Sequence, residues 1–140
     1  MPRPFIHRVE VVEDSPLTLL THVTARVDGV PKVLVRADIS AAHYWVYRRL
    51  ADGTVVPIGV HQQVAIDLDE VMVDTPVTHD DDPEWPSTLN VGYNFRHRIA
   101  GSAWPTGAAL FELQYRFALV SGEVFFPAPI YVFSVPQRAS

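Results

Sequence analysis

The sequence contains no cysteine, and this absence removes several classes of protein chemistry at once. Without thiols the chain forms no disulfide, holds no thiolate zinc site or iron–sulfur cluster, and has no cysteine nucleophile. At 140 residues it has the size of a single domain, which buries enough surface to fold without a covalent or metal staple. We therefore expect one domain over residues 1–140 that is stabilised by packing.

Long apolar runs are also missing. The most apolar tract, residues 124–133, is shorter than the roughly 20 residues that cross a bilayer, and Pro127 and Pro129 interrupt it. Residues 1–8 lack the apolar core and the small-residue cleavage site of a secretory signal. The sequence therefore predicts a protein that is made in the cytoplasm without a signal peptide and that does not span a membrane.

Positive charge is absent from the middle of the chain. Residues 50–95 contain no Lys or Arg but nine of the 16 acidic residues, so the flanks carry a net charge of +4. Such segregation favours oriented contact with another protein, whereas the total of −5 disfavours general binding to nucleic acid. An ordinary acidic loop face would give the same pattern. We expect other protein subunits as partners, in an oligomer or a larger assembly, and no nucleic acid or membrane partner.

Apolar residues recur at every second position, which is the period of β-strands with one buried face. One long strand is predicted over residues 17–27, followed by hairpin turns at Asp28-Gly29 and Asp52-Gly53. Residues 68–71 fit either a strand or a helical turn, and residues 78–88 have the composition of a solvated loop.

The C-terminal third has the clearest alternation, and it predicts which side chains form the core. Asn94, Arg96 and Arg98 are expected on the outer face of their strand. Seven to nine strands at such spacing predict an all-β fold, an antiparallel sandwich of two sheets. The predicted inward-facing residues are Val91, Tyr93, Phe95, His97, Ile99, Phe111, Leu113, Tyr115, Phe117 and Leu119.

Two aromatic residues give this pattern a resemblance to the immunoglobulin-like sandwich. Trp45 lies in the strand before Asp52-Gly53, and Tyr115 lies in the strand that turns through Ser121-Gly122 into the last one. The resemblance implies that Trp45 packs across the core from the third strand and that Tyr115 marks the penultimate strand. The inter-sheet cysteines of antibody domains are missing, and a fold resemblance of this kind implies no function.

Motifs of enzymes are missing as well. The chain has no Gly-x-Ser-x-Gly, no P-loop and no Gly-x-Gly-x-x-Gly, so we expect no catalytic residue, no cofactor and no enzymatic activity. Its six histidines are scattered singly, without the paired spacing that aims two imidazoles at one metal ion. His97 is predicted to be a neutral, hydrogen-bonded core residue because it shares the face of Phe95.

The remaining candidates are residues for contact with a partner or ligand. Asp80, Asp81 and Asp82 offer hard oxygen ligands to a cation, but they lack the spacing and glycine of a calcium loop, so no metal site is predicted. Trp85 and Trp104 either anchor an interface or fold back over the end of the sandwich. Arg96 and Arg98 are candidates for a basic contact stripe on an outer sheet face.

These observations favour a non-enzymatic structural or assembly subunit, such as a component of the tail, neck or capsid surface of a phage or virus particle. One alternative is a module that binds carbohydrate or peptide through Trp85, Trp104 and the acidic loop. Another is a small β-barrel enzyme or ligand carrier with Tyr93, His97 and Tyr115 around an interior pocket. The β-barrel alternative requires an interior cavity, whereas the hypothesis of a structural subunit expects a solid core.

Overall fold

The computed structural model describes residues 8–89 and 91–137, so segment 1–7, on which the expectation about export rests, lies outside them. The described part contains twelve strands and three short helical segments. The helical segments are α1 (Leu68–Val71) and the 3-10 turns η1 (Arg36–Asp38) and η2 (Gly101–Ala103). The strands are β1 (Arg8–Val12), β2 (Leu17–Thr21), β3 (Thr24–Val27), β4 (Val30–Val33), β5 (Ile39–Arg49), β6 (Val55–Pro57), β7 (Val64–Ala65), β8 (Met72–Val77), β9 (Tyr93–Ile99), β10 (Ala109–Leu119), β11 (Val124–Phe125) and β12 (Ile130–Val135).

The strands form two main sheets and a separate hairpin. The larger sheet has the order β1-β12-β10-β5-β6, with β11 beside β10 and β7 beside β5, and the smaller sheet has the order β2-β9-β8. Strands β3 and β4 pair with each other as a third sheet. All these pairs are antiparallel except β1 with β12, which is parallel. The all-β class is confirmed in a sandwich-like arrangement, with more strands than predicted because short connecting segments also pair.

The two main sheets enclose one apolar core. The ring of Phe95 in β9 meets Tyr115 and Phe117 of β10 edge to face, with centroids 5.2 and 5.7 Å apart. Burying a side chain of this size stabilises the fold by about 1.5–3 kcal/mol. The alternation predicted these inward faces correctly for β9 and β10. The buried residues on them are Tyr93, Phe95, His97, Ile99, Phe111, Leu113, Tyr115, Phe117 and Leu119.

The strand predicted over residues 17–27 is interrupted at Val23. Its first part, β2, pairs with β9, whereas its second part, β3, pairs with β4. Asn94 serves the backbone at this break: its side-chain oxygen accepts from Val23 N at 2.6 Å, and its amide donates to the carbonyls of Val23 and Leu34 at 2.9 and 2.8 Å. Asn94 is therefore fully buried, and its predicted place on the outer face is wrong.

The two aromatic residues of the immunoglobulin resemblance take different positions. Tyr115 is buried in the core of β10. Trp45 is half-buried on the opposite face of β5, because Tyr44 and Val46 take the core positions and successive side chains alternate. The expectation that Trp45 packs across the core is therefore wrong, and Tyr44 occupies that face instead.

The connecting segments follow the predicted turn chemistry. Asp28 and Gly29 have the positive φ angles, 52° and 78°, that a tight hairpin turn between β3 and β4 requires. Asp52-Gly53 joins β5 to β6, with a hydrogen bond from Leu50 N to Thr54 O. The ambiguous segment forms α1, not a strand. In residues 8–89 and 91–137 no helix has the length and apolar character needed to span a membrane.

Candidate functional site

A hydrogen bond between two buried polar side chains joins the sheets in the middle of the core. His97 Nδ1 in β9 lies 2.7 Å from the hydroxyl of Tyr115 in β10. The rings of Tyr44 and Phe95 pack edge to face on His97, at centroid distances of 5.0 and 5.9 Å. Burial lowers the pKa of His97 to about 4, so the imidazole is neutral at physiological pH, as the sequence predicted.

The surroundings of this pair determine which nitrogen of His97 carries the proton. Burial holds the pKa of Tyr115 well above its usual range, so its hydroxyl keeps its proton. His97 Nδ1 is the only described partner of that hydroxyl, and a buried donor needs an acceptor. We therefore assign Tyr115 as the donor to Nδ1, which leaves the ring proton on Nε2.

A second chain of polar groups lies beside the first. Tyr44 OH is hydrogen bonded to His61 Nδ1 at 2.9 Å, and His61 Nε2 to Ser102 Oγ at 2.8 Å. Burial raises the pKa of Tyr44 and lowers that of His61, so both are uncharged at neutral pH. A neutral imidazole beside a hydroxyl is an arrangement that can accept a proton. Neither Ser102 nor His61 lines either of the two cavities described next, and their contact joins η2 to the loop between β6 and β7.

A cavity of about 560 Å³ lies between α1 and β9, and we call it the α1–β9 cleft. Buried Tyr44 and His97 contribute to its inner wall, and exposed charged side chains of both signs contribute to its mouth. Short β7 forms one flank, and beyond Phe95 no pairing of β9 with β8 continues in the described chain. The lining residues are Thr18, Tyr44, Val64, Ala65, Ile66, Asp67, Glu70, Val71, Arg96, His97 and Arg98.

A smaller, mainly apolar pocket of about 280 Å³ lies on the other side of the buried pair. Tyr115 lines this pocket, whereas His97 lines the α1–β9 cleft, so their hydrogen bond lies between the two cavities. Tyr93, the third residue of the predicted interior pocket, lines neither cavity. The interior is therefore not solid throughout.

The acidic loop is organised by hydrogen bonds to the protein. Tyr93 OH donates to Asp82 Oδ2 at 2.7 Å, and this bond holds the pKa of Asp82 below its usual value. Asp82 Oδ1 also accepts from Glu84 N at 3.0 Å, whereas Asp80 and Asp81 are exposed. The loop therefore presents Asp80, Asp81 and Glu84 to solvent and uses Asp82 to hold its own conformation.

Both loop tryptophans are in the interior, which excludes them as exposed anchors for a partner. Trp85 is 2% exposed, its Nε1 donates to Val91 O at 2.8 Å, and its ring packs on Tyr93. Trp104 is 0% exposed and packs edge to face on Phe111 at 5.7 Å. The sequence left two interpretations open for these residues, and the structure agrees with the one in which the rings fold back over the sandwich. Each indole packs there on an aromatic ring.

Arg96 and Arg98 are exposed on the outer face of β9, as predicted, and both line the α1–β9 cleft. The sequence did not identify three other residues of the cleft, the acidic Asp67 and Glu70 and the aromatic Tyr44. Tyr44 lies in β5, Glu70 in α1 and Asp67 at the N-cap of α1. All three are more than 20 positions from Arg96, so no local sequence pattern indicates that they line the same cavity.

Four of the exposed apolar side chains lie near a contact between two turns. Backbone N of Asp28, at the tip of the β3–β4 hairpin, donates to Glu123 Oε1 in the β10–β11 turn at 3.1 Å. The residues next to this contact are large, apolar and solvent-exposed. We call them the apolar tip: Val30 (63% exposed), Val120 (67%), Val124 (45%) and Phe126 (67%).

Neither metal ligands among the described residues nor comparison with known proteins indicates a function. Among residues 8–89 and 91–137, no three His, Asp or Glu side chains form a group that could hold a metal ion. The sequence matches no model of a known protein family, and it matches no curated protein.

Proposed function

We propose that the protein is a non-enzymatic structural or assembly subunit that acts through protein–protein contacts on an immunoglobulin-like sandwich. The kind of assembly we propose is a phage or virus particle, with this subunit in the tail, the neck or the capsid surface. The apolar tip is the observation that carries the proposal, and the segregation of charge and the strand order support it.

The strand order supports the immunoglobulin-like part of the proposal. In variable-type immunoglobulin domains one sheet contains strands B, E and D, and the other contains G, F, C and C′. Taken in chain order, β2-β9-β8 corresponds to B-E-D, and β12-β10-β5-β6 corresponds to G-F-C-C′. The His97–Tyr115 hydrogen bond joins the two sheets in this cysteine-free core, where antibody domains use a disulfide.

The apolar tip supports contact with another protein. A partner that covers these exposed valines and the phenylalanine removes apolar surface from water, which stabilises the complex by roughly 25 cal/mol per Å² of buried apolar area. All four residues of β4 are exposed, and a two-stranded hairpin alone is marginally stable in water. A partner packed on the apolar tip would stabilise this hairpin together with the interface.

Charge segregation supports an oriented approach of that partner. Residues 50–95 carry no Lys or Arg, and Asp80 and Asp81 extend into solvent from their loop. Exposed Arg96 and Arg98 lie in the basic flank that follows directly. Opposed charged regions on one small domain orient an approaching protein before the apolar surfaces meet.

Size-exclusion chromatography with light scattering, on the full chain over a wide concentration range, tests the proposal. We expect an oligomer or co-purification with partner subunits from the native source, and Phe126→Asp is expected to abolish either one. Val60→Asp is the matched control, because Val60 is 82% exposed but lies outside the apolar tip. A monomer at every concentration without a co-purifying subunit contradicts the proposal, as does equal assembly of both variants.

One observation favours a second candidate, a ligand carrier. The α1–β9 cleft reaches buried Tyr44 and His97 from a charged mouth, which is the kind of cavity that this alternative requires. The module that binds carbohydrate or peptide was based on Trp85 and Trp104, and their burial leaves it without its aromatic surface.

A further inference from the structure

Four charged side chains around the α1–β9 cleft have no ion-pair partner in the described part of the chain. Arg96 and Arg98 stand on the β9 side, and Asp67 and Glu70 stand on the α1 side. The ion pairs that do form among described residues involve Lys32 with Asp38, Arg36 with Asp69 and Arg49 with Glu112. Opposite charges thus line one cavity, and no ion pair joins them among the described residues. Asp67 Oδ1 also caps α1 by accepting from Asp69 N at 3.1 Å, so the second oxygen of Asp67 and the carboxylate of Glu70 are the negative groups that a ligand can use.

A largely buried side chain with a hydrogen-bonding ring, His97, lines the same cavity. His97 is only 7% exposed, and its Nδ1 is occupied by Tyr115, which lies away from the cleft. The assigned tautomer places the ring proton on Nε2, which has no hydrogen-bond partner among the described residues. Nε2 is not among the fully buried atoms that lack a partner, so it is accessible from the cleft, where water or a ligand can accept from it.

The rest of the lining sets the size and polarity of a ligand. Ile66 and Val71 are buried apolar residues on the α1 side of the cleft, with half-buried Val64 beside them. The volume of about 560 Å³ falls within the range of small-molecule sites, about 300–1,000 Å³. The cleft therefore offers positive, negative and apolar regions to one compact molecule.

We infer that the α1–β9 cleft binds a small zwitterion of the amino-acid type. Its carboxylate accepts from His97 Nε2 and pairs with Arg96 and Arg98, and its ammonium pairs with Asp67 and Glu70. Its apolar part packs on the wall formed by the aliphatic residues. This site is separate from the apolar tip, so its test does not depend on the assembly function.

Isothermal titration calorimetry of the full chain with L-leucine tests the inference. Two analogues of the same shape remove one charge each: 4-methylpentanoate lacks the ammonium group, and 3-methylbutylamine lacks the carboxylate. Losing one charge-assisted contact is expected to weaken binding about tenfold or more. We therefore expect leucine to bind, and each analogue to bind at least about tenfold more weakly.

Variants locate the site. Arg98→Gln and Glu70→Gln are expected to weaken leucine binding about tenfold or more, whereas Arg116→Gln, a matched change outside both cavities, leaves it unchanged. Both cleft residues are exposed, so the fold survives the changes, and near-ultraviolet circular dichroism verifies this. The inference is overturned if leucine does not bind, if either analogue binds as tightly as leucine, or if both cleft variants bind like the wild type.

Discussion

Acidification should destabilise this protein, and the share that comes from His97 can be worked out from its pKa. The imidazole has a pKa of about 4 in the folded protein, against 6.5 for an unperturbed histidine. Between these values the unfolded chain binds a proton that the folded chain does not, so the free energy of unfolding falls as the pH falls. Full stability is present above the unfolded pKa, and the loss is complete below the folded one.

The structure sets the size of this effect. Each pKa unit corresponds to about 1.4 kcal/mol, so the two values imply a total loss of about 3 kcal/mol, of which about 2 kcal/mol falls between neutral pH and roughly pH 4.5. The shift comes from burial among Tyr44, Phe95 and Tyr115, where no described carboxylate pairs with the ring.

Urea unfolding followed by tryptophan fluorescence measures the effect, because Trp85 and Trp104 are buried in the native state. The variant His97→Asn keeps a polar atom near the position of Nδ1 for Tyr115 but does not titrate. Its stability should fall less on acidification than that of the wild type, by about 2 kcal/mol at roughly pH 4.5. Carboxylates and His61 contribute equally to both proteins, so the difference isolates His97. Identical pH dependence of the two proteins would refute the reasoning.

Three further changes test the packing. Gly101→Ala would place its Cβ 2.1 Å from the carbonyl oxygen of Asp14, so thermal unfolding should show a loss of about 1–3 kcal/mol, and an unchanged midpoint would contradict this contact. Asn94→Leu leaves Val23 N and Leu34 O without a partner, whereas Val23 O keeps its bond from Leu34 N, so urea unfolding should show a loss of about 2 kcal/mol or more; an unchanged stability would contradict this role of Asn94. Arg49→Ala removes the positive charge from the buried carboxylate of Glu112, which keeps only the neutral donor Gln114, and should cost about 2 kcal/mol, whereas Glu112→Gln should cost less; the reverse order would contradict an energetic role for the ion pair.

Much of the fold could be predicted from patterns of neighbouring residues in the sequence. The alternation from Tyr93 to Ile99 identified the buried face of β9, because side chains in a strand point to opposite faces in turn, whatever the rest of the chain does. The turns at Asp28-Gly29 and Asp52-Gly53 were equally local, since their backbone angles favour these residue types. The same parity predicted His97 as a neutral core residue.

Period alone misled where a polar side chain had a distant partner. Alternation placed Asn94 outside, but the backbone of Val23 and Leu34 required its amide inside. The immunoglobulin resemblance, and not the period, placed Trp45 in the core, whereas the alternation of side chains along β5 puts it on the other face.

The sequence by itself determined the all-β class, the core faces of β9 and β10 and the segregation of charge, because each of these depends on neighbours along the chain. Only the tertiary structure decided that Trp85 and Trp104 are buried, and that Glu70, Arg98 and His97 line one cleft. The physical reason is distance along the chain: these groups come from α1, β9 and two loops, and only sheet pairing and packing bring them together.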